Sequence, residues 1–322
     1  MSLQFRSVLR PPPSLVEQLA ACDPANPLQT PEYAKAHESL GERVCLLGLF
    51  AGDDLVAGCL GFLSGWFLRR NLHIRSLPSL QDPDVFWRGV VQSCRRLGAW
   101  GLQVDTYASP GAVIPQLPGE LERRDRWEYA LDLGRDNILD GMSTQHRRNI
   151  GRAGKAGLSI RRTREASACA EHLELMDASL ERRAHRGEKV DPGQDSARPL
   201  ALLASGSGEI FQAVLGEQVL SSILVLRSSQ GAYYQSAGTM PEGMKLGASP
   251  FLVSQVAALV KQEGARVFNL GGAGAESPGL RRFKAGFGAR EFELQAASFC
   301  PKSAAERRLR GALRSCWTWA GQ

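Results

Sequence analysis

The sequence has no long apolar run. No stretch approaches the roughly 18 consecutive apolar residues needed to span a bilayer. The start, M-S-L-Q-F-R-S-V-L-R-P-P-P, lacks the charged, apolar and small-residue segments of a secretory signal. A cytoplasmic protein is therefore expected. Its seven cysteines (Cys22, Cys45, Cys59, Cys94, Cys169, Cys300 and Cys316) are odd in number and show no C-x-x-C spacing, which speaks against a zinc ribbon or a disulfide framework. Most lie in apolar runs and read as buried structural thiols. The five histidines show no paired ligand spacing, so no metal is expected. No G-x-S-x-G elbow is present to support a serine hydrolase. A dinucleotide fingerprint fails after Asn269, because Gly272 and Gly274 are followed at the third position by Ser277. A phosphate loop fails at G-R-A-G-K-A-G (151–157), where Asn149 stands for the first glycine and Ala156 follows the lysine.

What remains is a 322-residue chain, 43% hydrophobic, long enough to bury a sizeable core in about two domains. The net charge of +6 suits an anionic partner. Most of the cations are arginines, whose planar fork matches phosphate and carboxylate.

The clearest signal is an internal repeat. V-C-L-L-G-L-F-A-G-D-D-L-V-A-G-C-L-G-F-L (44–63) reads as two strands joined by a G-D-D turn. A strand at 72–77, a helix opened by Asp82-Pro83 and closed by Gly98, and the strand W-G-L-Q-V-D (100–105) follow. The second half repeats the order: a hairpin around Gly216-Glu217, the strand A-Y-Y-Q-S-A (232–237), a helix opened by Ser249-Pro250 and closed by Gly264, and R-V-F-N-L (266–270). The spacing predicts two copies of one β-β-β-α-β unit. Asp82 and Ser249 are expected to cap their helices, each followed by proline at the first helical position. The domains are expected at 1–134 and 135–300, with a basic amphipathic helix at 301–322. Leu309, Leu313 and Trp317 share helical spacing in that last segment and suit packing on the body, while a peripheral membrane contact is the alternative.

Lys245, Leu246, Gly247 and Ala248 stand just before Ser249 and its helix, where free amides and the positive end of the helix dipole would hold an anion such as a pyrophosphate. With this site in view, the second half resembles the GNAT acetyltransferase superfamily and, more narrowly, its FemAB-related, BioF2-like branch. The resemblance rests on L-D-G-M-S-T-Q-H-R-R-N-I-G-R-A-G-K-A-G (139–157), Y-Y-Q-S-A-G-T (233–239), G-A-S-P-F-L (247–252), F-N-L-G-G (268–272) and G-L-R-R-F-K-A-G-F-G (279–288). It covers residues 139–299, and the first half fits as a weaker copy. It implies an α+β fold of tandem GNAT-like domains, each a mixed, mostly antiparallel sheet flanked by helices. It also implies an N-acyl transfer in which an amine attacks acyl-CoA or acetyl-CoA or, in the Fem peptidyltransferases, an aminoacyl-tRNA ester. Those peptidyltransferases commonly carry a long helical arm, and no long heptad segment occurs here, which favours acyl-CoA. The glycine pattern before Ser249 is looser than the Q/R-x-x-G-x-G/A loop of typical GNAT enzymes.

Such a transfer needs donor and amine held together, a base for the ammonium and a donor for the developing oxyanion. Asp105 and Glu276 are the candidate bases, and Tyr234 is a candidate proton donor to the leaving group. Lys245, Leu246, Gly247, Ala248 and Ser249 are the candidate donor-binding residues. The segment 143–164 holds Arg147, Arg148, Arg152, Lys155, Arg161, Arg162 and Arg164 with no acidic residue. It reads either as a solvated face or as a grip on phosphate, tRNA or a lipid head group. In S-P-G-L-R-R-F-K-A-G-F-G (277–288), Phe283 and Phe287 share an inward face. Arg281 and above all Lys284 are then candidates for an anionic ligand. The expected acceptor is an amino sugar, amino acid or cell-envelope precursor. A tRNA-dependent peptidyl transfer and a non-catalytic polyanion-binding protein are the rivals.

Overall fold

The near-continuous apolar strands of the repeat need cover on both faces, and helices supply it. In chain order the first half comprises β1 (Gln4–Leu9), α1 (Pro13–Cys22), α2 (Pro31–Ser39), β2 (Arg43–Ala51), β3 (Asp54–Ser64), β4 (Asn71–Ile74), α3 (Pro83–Arg96), β5 (Gly101–Asp105) and β6 (Glu120–Asp132). The second comprises α4 (Thr144–Lys155), β7 (Ser159–Thr163), α5 (Ala166–His185), α6 (Ala197–Ala204), β8 (Gly208–Leu215), β9 (Gln218–Arg227), β10 (Gly231–Thr239), α7 (Pro241–Leu246), α8 (Ala248–Gln262), β11 (Val267–Gly272), α9 (Pro278–Ala285) and β12 (Arg290–Phe299). The computed structural model describes residues 3–66, 69–135, 137–138, 140–185, 187, 196–274 and 277–303. The helix expected at 301–322 lies almost wholly outside them. No helix among the described residues is long and apolar enough to cross a membrane.

The predicted unit is present twice. Gly52 and Gly216 turn the hairpins at positive φ, 66° and 59°, where a side chain would be strained. Asp82 caps α3 through the Val85 amide at 3.1 Å. The strands join in the order β1-β2-β3-β4-β5-β12-β6-β11-β10-β9-β8-β7. β6 leaves the first half to pair with β11, and β12 leaves the second to pair with β5. Each half therefore lends its last strand to the other. The boundary expected at residue 134 divides the sequence but not the sheet, since Asp132 is in register with Val267.

One apolar cluster fills each half, and a third joins them: Val16, Tyr33 and Phe62 pack with Leu202, Leu226 and Tyr233. Burying each such side chain contributes about 1.5–3 kcal/mol. This shared core fixes the two halves against each other. It also sets the walls of the cleft described next.

Candidate active site

β10 and β11 run parallel but pair only at Gly231–Val267, Ala232–Phe268 and Tyr233–Asn269. Beyond that point β10 follows β9 through an irregularity between Tyr234 and Ser236, and β11 follows β6 through another between Asn269 and Gly272. The two strands part, and a cleft of about 1480 Å³ opens between them. α5 and the first half form one wall, with Ser179, Arg183, Tyr33, His37, Arg75 and Tyr107. Leu280, Phe283 and Lys284 of α9 form another, and Arg124 and Arg126 of β6 close the side.

Lys284 stands at the floor. It is buried, donates to the Gly272 carbonyl at 2.5 Å and lies 5.6 Å from the centre of the Tyr234 ring. Burial lowers its pKa to about 8, against the supporting charge of Glu128. Phe283 and Phe287 do face inward together, edge to face at 5.1 Å. His146 of α4 packs on both rings and holds the Phe283 carbonyl at 2.9 Å, fixing the turn that carries Lys284. Arg281 is engaged elsewhere, with Glu291 at 3.0 Å and the Tyr129 hydroxyl at 3.1 Å. Tyr234 lines the cleft, and burial raises its phenol well above the usual tyrosine range, which makes it a weak proton donor.

Asp105 sits behind the lining. It is buried and accepts from His73 at 2.7 Å, Arg126 at 2.9 Å and Gln103 at 3.2 Å. Burial alone would raise its pKa. The His73 hydrogen bond and the charges of His73 and Arg126 outweigh that and hold the carboxyl below its ordinary value. A carboxylate so satisfied is a poor base, and its evident work is to hold Arg126 over the Tyr107 ring, 3.9 Å away. Glu276 lies outside the described residues.

The expected anion site at the start of α8 is covered. Gly247, not Ser249, is the N-cap residue, at φ 77°, and a Cβ there would stand 2.6 Å from the Asn149 carbonyl of α4. Ser249 turns inward and bonds Thr239 at 2.6 Å. Ala248 is buried, Leu246 is half-buried, and Lys245 is exposed with its carbonyl taken by Arg152 at 2.7 Å. None of these five lines the cleft. The cap prediction failed because α4, close in space but distant in sequence, packs on the glycine. The basic segment also divides. Arg161 pairs with Glu171, and Arg162 and Arg164 with Glu209, leaving Arg147 and Arg148 exposed on α4.

Sequence reasoning missed several residues. Arg75 and Arg198 line the cleft from the two halves, and the Nε of each is buried with no hydrogen-bond partner among the described residues. Glu128 is buried beneath the floor, accepting from Tyr233 at 2.7 Å, Asn269 at 2.8 Å and the Ala108 amide at 2.9 Å. A single glutamate between Trp127 and Tyr129, in a strand entering the core, was the available signal.

Residues 142–285 match the family model described as acetyltransferase (GNAT) domain. No curated protein matches the chain in sequence. Among solved structures, FemX shares 12% identity with a TM-score of 0.67, over 90% of this chain and 96% of that one. L-PGS from Bacillus licheniformis shares 14% with a TM-score of 0.53, over 93% and 96%. A tandem GNAT protein from the clavulanic acid biosynthesis pathway shares 13% with a TM-score of 0.53, over 94% and 100%. These identities speak to the fold alone. Residues 142–285 thus match a GNAT-type acetyltransferase domain, which supports an acyltransferase, and the chain as a whole shares its fold with FemX and L-PGS.

Proposed function

We propose that this chain transfers an aminoacyl group from the ester of a charged tRNA to the amine of an acceptor that carries phosphate or carboxylate. One observation carries the choice of donor: the start of α8, which would hold a CoA pyrophosphate through its amides, is packed against Asn149. The exposed face of α4 beside it presents Arg147, Arg148 and Lys155, suited to a polynucleotide backbone. The likeness in fold to FemX supports the same direction, because the Fem-type resemblance implies an aminoacyl-tRNA donor. The acceptor's negative charge is matched by Arg75, Arg124, Arg126, Arg183 and Arg198 around the cleft, where Asp125 is the one acidic lining residue described. A second reading, an acyl-CoA donor, is favoured by the family match of residues 142–285.

The two are separated by offering alanyl-tRNA, acetyl-CoA and palmitoyl-CoA, with phosphoethanolamine as the amine, and measuring binding by calorimetry and amide formation by mass. Alanyl-tRNA is expected to bind with steep salt dependence and to give the amide. Binding and transfer from a thioester, without either from alanyl-tRNA, overturns the tRNA reading. Binding of uncharged RNA as tightly as alanyl-tRNA, with no transfer from any donor, favours the non-catalytic rival.

A further inference from the structure

The transfer chemistry needs a proton acceptor for the attacking amine, and Asp105 is already satisfied behind the lining by His73, Gln103 and Arg126. Gly271 points to another arrangement. It lies on the cleft lining at φ 72°, and a Cβ built on it would stand 3.6 Å from Lys284 Nζ, 3.8 Å from Tyr233 Oη and 3.0 Å from the Tyr234 carbonyl oxygen. The glycine thus keeps a space about the size of a methyl group open between an ammonium and a phenol. Behind the phenol, Tyr233 Oη donates to Glu128 Oε1 at 2.7 Å. The second oxygen of that carboxylate is held by Asn269 and the Ala108 amide, so Glu128 cannot swing away. Ala108 sits at φ 55°, unusual for a residue with a side chain, and its amide on Glu128 ties the first half to this arrangement.

We propose that Tyr233 and Glu128 form the proton relay that deprotonates the attacking amine, with Lys284 as the acid facing it across Gly271. This rests on the transferase reading above. In the step, the amine nitrogen bonds to the acyl carbon and the carbon–oxygen bond of the donor ester breaks. The amine proton passes to Tyr233 Oη, whose own proton passes to Glu128 Oε1. Lys284 gives its proton to the leaving oxygen, and Glu128 later returns one to Lys284 through solvent. Protons and charge balance, with no other reactant.

The electrostatics support the same division of labour. Burial raises the Glu128 carboxyl above its ordinary range and makes it a stronger base than a surface glutamate, although Asn269, Tyr233, Ala108 and Arg126 oppose the shift. Its charge supports the Lys284 ammonium. When the relay places a proton on Glu128 that support is lost, so Lys284 becomes a stronger acid as the leaving group needs its proton. The charged and titratable groups around Tyr233 are Glu128 and Arg126 of β6 and Tyr107 after β5.

Rates of transfer from alanyl-tRNA and from acetyl-CoA to phosphoethanolamine test the relay in the wild type, Tyr233→Phe, Glu128→Gln and the double variant, each normalised to folded protein. Each single change is expected to lower kcat about 100-fold at an unchanged donor KM, and the double variant to fall no further, because the two groups act as one unit. Wild-type turnover in mixed H2O and D2O is expected to give a curved proton inventory, and this needs no variant to fold. A linear inventory, or single losses that multiply in the double variant, overturns the relay. Full activity in Tyr233→Phe overturns it while leaving the transferase reading intact. No transfer by the wild type from either donor overturns both.

Discussion

The seam between β4 and β5 and the seam between β10 and β11 are the same feature of the same repeated unit, but they have opposite fates. In the first half the parallel pairing runs the whole length of β4, from Asn71–Gly101 to Ile74–Val104. The polar groups at its end satisfy one another: Asp105 takes His73, Gln103 and Arg126. In the second half the pairing stops after Tyr233–Asn269, and the strands diverge around Gly271 and Gly272. There a lysine and a glutamate stay buried, connected through Tyr233 and the cleft floor and not by a salt bridge to each other. One seam thus stays closed and the other opens into the cleft, and the residues just past the last paired position differ accordingly.

Removing the buried ammonium at the floor of the open seam should have the largest effect. Lys284→Ala is expected to cost about 1000-fold in kcat, in the range seen when one donor to a developing charge is lost. Its melting temperature should hold or rise, since a buried cation carries a desolvation cost. The rate of the wild type should also fall as pH rises through about 8, where Lys284 loses its proton. A flat rate up to pH 10 would count against Lys284 as the acid. The closed seam should respond through stability. Asp105→Asn is expected to cost about 2 kcal/mol, a charged and buried hydrogen-bond set weakened. Because the folded carboxyl titrates below its unfolded value of about 3.9, this contribution is present at neutral pH. It is lost only as pH falls through the lower folded value. Wild type and variant should therefore converge in acid, as read from urea melts at several pH values, while kcat changes little.

The contrast between the seams was only partly legible in the sequence. The repeat could be read because its signals are local: Gly52 and Gly216 turn the hairpins, and Asp82 with Pro83 starts α3. The exchange of β6 and β12 could not, because Glu120 and Phe299 meet across most of the chain and their strands carry charge on both faces. Ser249 followed a sound local rule and lost to a tertiary contact, the packing of Asn149 on Gly247. Lys284 could be singled out because its motif is contiguous, and it does line the cleft. Tyr233, Glu128, Arg75 and Arg198 were missed because each is a single polar residue whose partners come from other strands or the other half.

The smallest effect expected is also the one that tests whether the first half takes part in binding. Arg75 follows β4 and Arg198 opens α6, yet both line one wall of the cleft, near His37 and Glu42. Glu42 engages His37 at 2.5 Å and Arg75 at 3.3 Å. No salt bridge is described for Arg198, whose half-buried guanidinium adds positive charge there. An anionic group entering between the two arginines would gain charge-assisted hydrogen bonds from both halves. Arg198→Gln should then raise KM for phosphoethanolamine about tenfold, or about 1.4 kcal/mol, with kcat held. Arg75→Gln should do the same if the first half contributes a ligand contact. Ethylamine, which lacks the phosphate, should show neither effect. Arg148→Gln, on the exposed face of α4, should leave the acceptor KM alone and weaken only alanyl-tRNA, with a shallower salt dependence. If Arg75→Gln matches the wild type while Arg198→Gln does not, Arg75 makes no ligand contact, and any share of the first half in holding the acceptor falls to Arg124 and Arg126 of β6.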